Sequence, residues 1–342
     1  MKTLIFALTS ATLILLGVKY VMDAGSAENS LEDIAFKVNQ DKTSTWKATV
    51  YPNFTYSQEQ LKKMFSLKVE DVLPEGFSPA PYHDISIEDL PENFDAREKW
   101  SSCSSIKEVR DQSACGSCWA FGAVSAMSDR ICIKSNQKDQ RRVSSEDLLE
   151  CCTSCGFGCN GGMLYASWSY WKTKGIVTGD LYGDTKYCKP YAFAPCNHHS
   201  SGPYDDCSKH DYDTPRCKKE CTNGEYEKSY DEDKTYGKNV YTVAGEHNIM
   251  KELVKNGPIE AAFTVYNDFL VYKSGVYSHR SGGALGGHAI RIIGYGVENG
   301  VKYWLCVNSW NESWGEKGTF KILRGSNHCG IESEGVAGLP KL

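Results

Sequence analysis

Hydrophobic and polar positions divide the chain into a helical half and a β half. In the first half, apolar residues recur with helical spacing over residues 118–133, 144–150 and 162–174. Beyond residue 241, short runs of branched and aromatic residues bounded by Gly or Asn predict strands at residues 259–265, 288–294, 302–307 and 319–323. Helices followed by strands are typical of an α+β protein, which is the class we predict.

The N-terminal residues predict export. Lys2 is followed by an apolar stretch at residues 4–18 and by small residues around positions 24–27. A membrane helix needs roughly 18 to 20 apolar residues, and no segment of the chain reaches that length. We therefore predict a cleaved signal peptide ending near residue 24, no membrane span, and a location in the secretory pathway, either lysosomal or extracellular.

A region without cysteine follows the predicted signal peptide. It contains two short amphipathic helix candidates, one at residues 31–38 and one that begins with the capping box of Ser57 and Gln60 and runs to about residue 67. A Pro/Gly-rich linker at residues 74–81 ends it. Such a segment cannot support a core alone and must lie on the rest of the chain. It is either an N-terminal arm or a pro-segment removed on activation, and the signal peptide favours the second.

Charge and cysteine content narrow the function. The net charge is −5 and there is no basic run, so nucleic acid is not an expected partner. Fifteen cysteines, none before Cys103, fit an oxidising compartment in which disulfides form. Their odd number leaves at least one thiol unpaired or intermolecular, and Cys118 is our candidate for it.

The residues around Cys118 indicate a reactive thiol. Ser117 is predicted to cap the helix that follows, which places Cys118 in its first turn. Unpaired backbone N–H groups and the helix dipole favour a thiolate at that position. Since the thiolate is the nucleophilic form of cysteine, this segment predicts the nucleophile of an enzyme.

A cysteine nucleophile needs a base, and the base needs a group that holds its ring. His288, between glycines and a predicted buried strand, is the candidate base, and Asn308, at the end of a predicted strand, is the candidate orienting group. The Gln112 amide is a candidate oxyanion donor beside the Cys118 backbone N–H. One His near a strand is more often structural, so it is the combination that indicates catalysis.

These motifs resemble the signatures of papain-family cysteine peptidases, and the cathepsin B branch most closely. The resemblance extends over residues 90–339 and rests on Gln112…Cys115-Gly-Ser-Cys-Trp119, Gly287-His-Ala289, Asn308-Ser-Trp310, Cys159-Asn-Gly-Gly162 and His328-Cys-Gly-Ile-Glu-Ser-Glu334. It implies a papain-like fold with a helical left lobe, a β-barrel-like right lobe and a cleft between them. The implied organisation is a signal peptide (1–24), a pro-segment (25–89) and a mature peptidase domain (90–342).

The resemblance also implies roles for individual residues. Cys118 is then the nucleophile, His288 the general acid/base, Asn308 the orienting residue and Gln112 the oxyanion donor. Five residues are implied to bind substrate. Gly161 and Gly162 would form the cleft wall, and Ala289 and Trp310 would lie beside the base. Glu334 would lie at the floor of a pocket that accepts Arg. Glu334 as an ordinary solvated acid is the alternative.

The distance in sequence from Cys118 to His288 exceeds the roughly 130–150 residues of papain-type enzymes, so an insertion is expected. The cysteine-dense stretch at residues 182–236 is the place for it, and residues 193–207 resemble the occluding loop of cathepsin B. There, His198 and His199 would bind the substrate's C-terminal carboxylate, and His198 would pair with Asp111 as a latch. Dipeptides would then leave from the C-terminus, whereas an open loop would allow endopeptidase cleavage. Exposed loop histidines without a role are the alternative.

The implied disulfides are Cys103–Cys132, Cys115–Cys159, Cys151–Cys217, Cys152–Cys155, Cys188–Cys221 and Cys196–Cys207. The loop histidines with nearby cysteines are also a metal-site signal, but exported cysteines are usually bridged, so neither a metal nor another cofactor is expected. Asn53 and Asn311 are glycosylation candidates. The expected partners are protein and peptide substrates, cystatin-type inhibitors and the chain's own pro-segment, which would act as an inhibitor. The enzyme is expected to be a monomer. Nutritional proteolysis is one use that fits.

Two other functions remain open from the residues. One is a thiol-disulfide oxidoreductase that uses Cys115 and Cys118 as a redox pair, although the early βαβ pattern of thioredoxin-like domains is absent. The other is an inactive binding homologue of the same fold, although such proteins typically lose the nucleophile and Cys118 is present.

Overall fold

The computed structural model describes residues 30–50, 56–67 and 83–342. The predicted signal peptide and the glycosylation candidate Asn53 lie outside these residues. The helices, in chain order, are α1 (Leu31–Gln40), α2 (Gln58–Met64), α3 (Ala96–Lys99), α4 (Ser104–Lys107), α5 (Cys118–Lys134), α6 (Ser145–Cys151), α7 (Leu164–Thr173), α8 (Tyr230–Asp233) and α9 (Glu246–Asn256). Short 3₁₀ turns lie at Cys207–Lys209, Asn267–Val271 and His328–Gly330.

The strands form one sheet. They are β1 (Trp46–Ala48), β2 (Phe94–Asp95), β3 (Gly237–Val243), β4 (Ile259–Tyr266), β5 (Tyr272–Tyr277), β6 (Ala284–Glu298), β7 (Val301–Val307), β8 (Thr319–Leu323) and β9 (Gly335–Pro340). Their order is β1-β5-β8-β7-β6-β4-β9-β3, with β2 pairing with β6. The strands β5 and β8 run parallel, whereas β6 pairs antiparallel with both β4 and β7. The α+β prediction is therefore confirmed.

The helix α5 lies where the helical half meets the sheet. Every residue from Cys118 to Ile133 is buried, because the helix packs on α7 on one side and on β6 and β9 on the other. A helix that is covered on all faces is apolar around its whole circumference, which explains the run of Ala, Phe, Val and Met in its sequence. Its first residue, Cys118, is thereby held in a fixed place between the two halves.

Two of the helices that differ from the sequence-based expectation are α2 and α9. The helix α2 has the predicted capping box, but it ends at Met64 rather than near residue 67, because the chain then becomes extended and Ser66 pairs with Gly287. The helix α9 was not predicted at all. Its signal was present, since Ile249 and Leu253 lie on one face and Gly257 follows the last helical residue.

The N-terminal segment, meaning the described residues 30–50 and 56–67, lies on the rest of the chain as predicted. Its strand β1 extends the sheet by pairing with β5, with Trp46 opposite Gly275. The Trp46 side chain is 1% exposed and its Nε1 donates to the Ser278 carbonyl at 2.9 Å. The segment is therefore bound to the sheet by main-chain pairing and by one buried aromatic side chain.

Six disulfides are present, and they join the pairs that the resemblance implied. Cys118, Cys306 and Cys329 are unpaired. Because Cys115 is bridged to Cys159, it does not form a redox pair with Cys118, which argues against the oxidoreductase alternative. Among the helices that the structure describes, none is long and apolar enough to cross a membrane.

Candidate active site

Cys118 is the first residue of α5 and is fully buried. The prediction that Ser117 caps this helix through its side chain is wrong. Ser117 is the N-cap residue, but its backbone (φ −102°, ψ 18°) is not extended and its side chain makes no capping hydrogen bond. The hydroxyl instead lies 3.2 Å from the Tyr191 hydroxyl. The backbone N–H groups of the first turn are consequently left without a side-chain acceptor from Ser117.

The imidazole of His288 is held by Asn308. His288 lies in β6, opposite Phe263 of β4, and its Nε2 is 2.8 Å from Oδ1 of Asn308, the residue that follows β7. The Trp310 ring lies against the imidazole with 5.1 Å between ring centroids. Among the described residues, Nδ1 of His288 has no hydrogen-bond partner. One ring nitrogen is thus fixed by the amide, and the other remains for proton transfer.

The Gln112 side chain is fixed beside the nucleophile. Its Nε2 donates to the Cys115 carbonyl at 2.9 Å, and its Oε1 accepts from the Ser309 hydroxyl at 2.6 Å. The amide is fully buried and has a second N–H on the same nitrogen. Its two hydrogen bonds join the loop that carries Cys118 to the residue after Asn308, so they connect the two halves of the site.

The N-terminal segment covers this site. The Phe65 ring packs edge-on against His288 and Trp310, at 5.8 and 5.9 Å between centroids. The backbone of the N-terminal segment passes very close to two glycines of the site. A Cβ on Gly161 would lie 2.0 Å from the carbonyl oxygen of Ser66, and a Cβ on Gly286 would lie 2.1 Å from the carbonyl oxygen of Phe65. Both glycines also have positive φ, so any other residue would be strained as well as too large.

Burial shifts the pKa values of the candidate nucleophile and base in opposite directions. Burial raises the pKa of the Cys118 thiol to about 12, with Glu260 adding to the rise and backbone hydrogen bonds from Ala289 and Trp119 opposing it. Burial lowers the pKa of His288 to about 4, while its hydrogen bond to Asn308 acts in the opposite direction. Between these two pH values the thiol and the imidazole are both neutral. Burial therefore disfavours a thiolate–imidazolium pair in this structure.

The candidate loop at residues 193–207 is closed by the Cys196–Cys207 disulfide and held at its base by Asp111. His198 Nε2 lies 2.8 Å from Oδ1 of Asp111. The same carboxylate accepts from the backbone N–H of Cys196 at 3.2 Å and from Nδ2 of Asn311 at 2.8 Å. The Asp111–His198 contact proposed from the sequence is thus present as a buried hydrogen bond within a larger network.

His199 faces the cleft between two aromatic rings. Its ring centroid lies 5.2 Å from that of Trp310 and 4.9 Å from that of Tyr56, which belongs to the N-terminal segment. Burial lowers the pKa of His199 well below its ordinary value, and the nearby His198 and His288 lower it further. The N-terminal segment therefore covers His199 as well as His288.

The structure also places three other predicted residues. Asn311 is 8% exposed and its Nδ2, the atom that a glycan would need, donates to Asp111 and to the Cys196 carbonyl, so the structure corrects this glycosylation candidate. A Cβ on Gly162 would lie 2.5 Å from the Trp119 ring, so this position has no room for a side chain, and its backbone role in the cleft wall stays a prediction. Glu334 is half-buried, immediately before β9.

Two clusters in the described residues have the residue types of a metal site, namely Cys196, His198 and Cys207, and Glu150, Cys151 and Cys217. All four cysteines are in disulfides, so they do not offer thiolates. Sequence reasoning missed Phe65, Ser66 and Tyr56, which cover the site. The available signal was their position on either side of the capped helix α2, in a segment that had to lie on the domain.

The comparisons with known proteins agree with this geometry. A family model described as "Papain family cysteine protease" matches residues 90–339. The chain is 55% identical over 256 residues to Cathepsin B-like cysteine proteinase 6 of Caenorhabditis elegans, covering 74% of this chain and 68% of that protein. It is 47% identical over 313 residues to the cathepsin B-like cysteine proteinase of Schistosoma japonicum, covering 91% and 90%.

Solved structures of proforms are also similar. The proCathepsin B S9 from Trypanosoma congolense matches with a TM-score of 0.78 at 35% identity, covering 90% of this chain and 97% of that one. Procathepsin L 3 of the Tenebrio molitor larval midgut matches with a TM-score of 0.63 at 21% identity, covering 90% of each chain, which shows the fold alone.

Proposed function

We propose a mechanism for this chain, which belongs to the papain family of cysteine proteases and is a cathepsin B-like cysteine proteinase with a pro-region. Cys118, His288 and Asn308 carry out its catalysis. The loop at His198 and His199 adds release of C-terminal dipeptides to endopeptidase cleavage. The observation that carries the proposal is the buried 2.8 Å contact between His288 Nε2 and Asn308 Oδ1 beside a helix that begins at Cys118. The pro-segment is residues 25–89 and the mature domain residues 90–342.

The reaction follows from which nitrogen of His288 is free. Asn308 accepts from Nε2–H, so Nδ1 takes the thiol proton of Cys118 once water enters the cleft and the pair ionises. The thiolate attacks the peptide carbonyl, the imidazolium gives its proton to the leaving amine, and an acyl-enzyme remains. Water, activated by the same imidazole, then attacks the acyl carbon and releases Cys118.

The oxyanion of each tetrahedral intermediate lies near the start of α5. The backbone N–H of Cys118 and the second N–H of the Gln112 amide are its proposed donors. Ser309 holds the Gln112 oxygen at 2.6 Å, so the amide cannot turn its oxygen toward the developing negative charge. Preorganisation of this kind stabilises the transition state without reorganisation during the reaction.

The loop supports the dipeptide-releasing activity. His198 is fixed by Asp111, which leaves His199 to receive the substrate's terminal carboxylate once Tyr56 has left with the pro-segment. An acidic medium favours protonated histidine, which binds a carboxylate more strongly. When the loop moves away, longer chains cross the cleft and internal bonds are cleaved.

The remaining roles follow the same assignment. Gly161 pairs with the extended substrate where Ser66 now lies, Ala289 and Trp310 line the cleft beside the base, and Glu334 gives the upstream pocket its preference for Arg. The six disulfides and the similarity to the relatives support a location in the secretory pathway, and we place the mature enzyme in the lysosome or outside the cell. There it acts as a monomer on protein substrates, including nutritional ones. Cystatin-type proteins inhibit it.

The test compares two peptides that differ only in a free or an amidated C-terminus, each cleaved by activated enzyme. For the wild-type enzyme we expect kcat/KM to be higher for the free acid, with dipeptide products. In the His199→Ala variant, the ratio of kcat/KM for the free acid to kcat/KM for the amide should fall roughly 10- to 100-fold, because a hydrogen bond to a charged group is removed. His210→Ala, a loop histidine that stacks on Tyr212 instead, is the matched control and should keep the preference.

An enzyme that cleaves the two peptides equally well, or a preference that survives both His199→Ala and His198→Ala, would exclude the loop assignment. Retention of peptidase activity in Cys118→Ala would exclude the catalytic assignment, because no other described cysteine lies in the cleft beside His288.

A further inference from the structure

Glu252 in α9 is a buried carboxylate that accepts from four donors. Its Oε1 accepts from Nη2 of Arg130 at 2.8 Å and from the Tyr241 hydroxyl at 2.7 Å. Its Oε2 lies 3.1 Å from Nδ2 of Asn256 and 2.5 Å from Nε2 of His83. The Glu252 side chain is 0% exposed and that of His83 is 9% exposed.

This cluster lies far from the cleft. Arg130 is in the last turns of α5, and because a helix rises 1.5 Å per residue, it lies about 18 Å along the axis from Cys118. The guanidinium also donates to the Pro258 carbonyl at 2.7 Å and to that of Gly257 at 3.0 Å. Arg130 and Glu252 are therefore a structural ion pair of the mature domain and have no contact with the catalytic residues.

The four donors differ in origin. Arg130, Tyr241 and Asn256 lie in the domain that begins at residue 90, whereas His83 lies in the segment before it. Once that segment is removed, the carboxylate keeps three donors and loses the fourth. The site is thus completed by a side chain that the mature enzyme does not contain.

We propose that Glu252 is a binding site outside the cleft for the imidazole of His83, and that this contact holds the end of the pro-segment on the domain and protects the processing region between residues 83 and 90. The inference rests on the pro-segment boundary given under the proposed function. It adds a second anchor to the contacts that Phe65 and Ser66 make over the catalytic residues.

The charges around Glu252 select the occupant. Arg130 already balances the carboxylate, and Lys134 lies beside it, with its Nζ 2.7 Å from Oδ1 of Asn256. An additional full cation would be repelled by these two residues. A planar ring N–H donor fills the fourth position without that repulsion, which fits an imidazole and disfavours a lysine.

The test uses the full-length zymogen with Cys118→Ala, so that it cannot process itself, and an added broad-specificity endopeptidase. Cleavage between residues 83 and 90 is followed by mass spectrometry in the zymogen with His83 unchanged and in three variants of it, His83→Ala, His83→Gln and His83→Lys. Asp84→Ala, a change in the exposed neighbour, is the matched control. Amide hydrogen exchange over residues 83–90 is measured on the same samples.

The rate of cleavage follows the population in which the segment is detached. Loss of a hydrogen bond to a carboxylate should raise that population, and the rate, roughly 10- to 100-fold in His83→Ala. His83→Gln, whose amide N–H reaches the same position, should restore most of the protection, whereas His83→Lys should not. Asp84→Ala should stay within about twofold of the wild-type rate.

Equal cleavage and exchange in the His83 and His83→Ala zymogens would overturn the inference, and so would full restoration by His83→Lys. Because the added protease supplies the cleavage, these results do not depend on the chain's own activity. A failure of the proposed catalytic function would be seen only in the peptide assay.

Discussion

The two ends of the helix α5 lie in buried polar surroundings of opposite kinds. Its first residue, Cys118, belongs to the candidate site, in which three buried polar atoms have no hydrogen-bond partner among the described residues, namely Nδ1 of His288, Nδ2 of Asn308 and Nε1 of Trp310. Near its last turn, all five N–H groups of Arg130 donate to oxygen atoms. The pro-segment contacts both places, with Phe65 at one end and His83 at the other.

The difference follows from what each end does. A buried polar group without a partner costs about 1–3 kcal/mol, and the three such atoms of the candidate site belong to residues to which we assign a role in the chemistry or beside it. At Arg130 no chemistry is proposed and all five N–H groups of the guanidinium are satisfied, which stabilises the fold. One helix therefore positions a site at some cost in stability and is itself held by an ion pair at its other end.

The largest expected effect separates activity from stability at the first end. Cys118→Ala should lower kcat/KM on a small peptide by at least roughly 10⁴-fold, because the nucleophile is lost. The free energy of unfolding of the zymogen should change by no more than about 1 kcal/mol, since one small buried group is replaced by another. Activity assays and chemical unfolding measure the two quantities, and a destabilisation of several kcal/mol would contradict the comparison.

The opposite result is expected at the other end. Arg130→Ala should destabilise the enzyme by about 3–5 kcal/mol, because Glu252 would remain buried without its cation. The folded fraction should keep kcat/KM within a few-fold. Arg141→Ala is the matched control, since Arg141 is 41% exposed in its pair with Asp139 and should cost less than about 1 kcal/mol. Equal losses in the two variants would show that the buried pair has no special role.

Acid should weaken the Arg130 end selectively. The pKa of Glu252 is lowered from 4.5 to about 2, with Arg130, His83 and Tyr241 outweighing its burial. A lowered carboxylate pKa stabilises the fold fully above pH 4.5, and this contribution, about 3 kcal/mol, is lost as the pH falls toward 2. Unfolding of the Cys118→Ala zymogen between pH 5 and 2 should show it, and Glu252→Gln should be less stable at pH 5 with a shallower decline.

The smallest effect concerns the thiol. At pH 6, Cys118 should react with iodoacetamide at least roughly 100-fold more slowly in the zymogen than in the activated enzyme, because the covered thiol has a pKa of about 12. The labelled cysteine is identified by mass mapping. Cys306, which is buried, serves as a reference that should react in neither form. A Cys118 that reacts equally fast in both would show that the pro-segment does not control its ionisation.

Local patterns were sufficient for much of the fold. The strand β8 has the predicted ends, and α5 is one residue longer than predicted. The secondary structure of a run of branched or helix-forming apolar residues is determined mainly by the residues of the run itself. The strands β5 and β9 were missed because Gly275, Gly338 and Pro340 are turn signals inside them. These strands are determined by pairing with their neighbours, which the local sequence does not contain.

The site divides in the same way. The reactive position of Cys118 could be argued from its own segment, and the pairing of His288 with Asn308 from what a cysteine nucleophile requires. The family resemblance implied the same roles. Glu252 was not predicted at all. Its partners Arg130 and His83 lie 122 and 169 residues away, so only the tertiary structure brings them together. A charged residue on a helix is usually solvated, and no local signal separates Glu252 from such a residue.

The cover over Cys118 also matters for the passage through an oxidising compartment. Most of the bridged sulfurs are buried, Cys115 and Cys159 completely, so dissolved thiols reach them slowly. The catalytic sulfur would be the exception if it were exposed, since a thiolate readily forms mixed disulfides or sulfenic acid. Because burial raises its pKa to about 12, the Cys118 thiol is expected to react slowly in this structure. On the proposed assignment, the segment before residue 90 would keep the catalytic sulfur reduced as well as inactive.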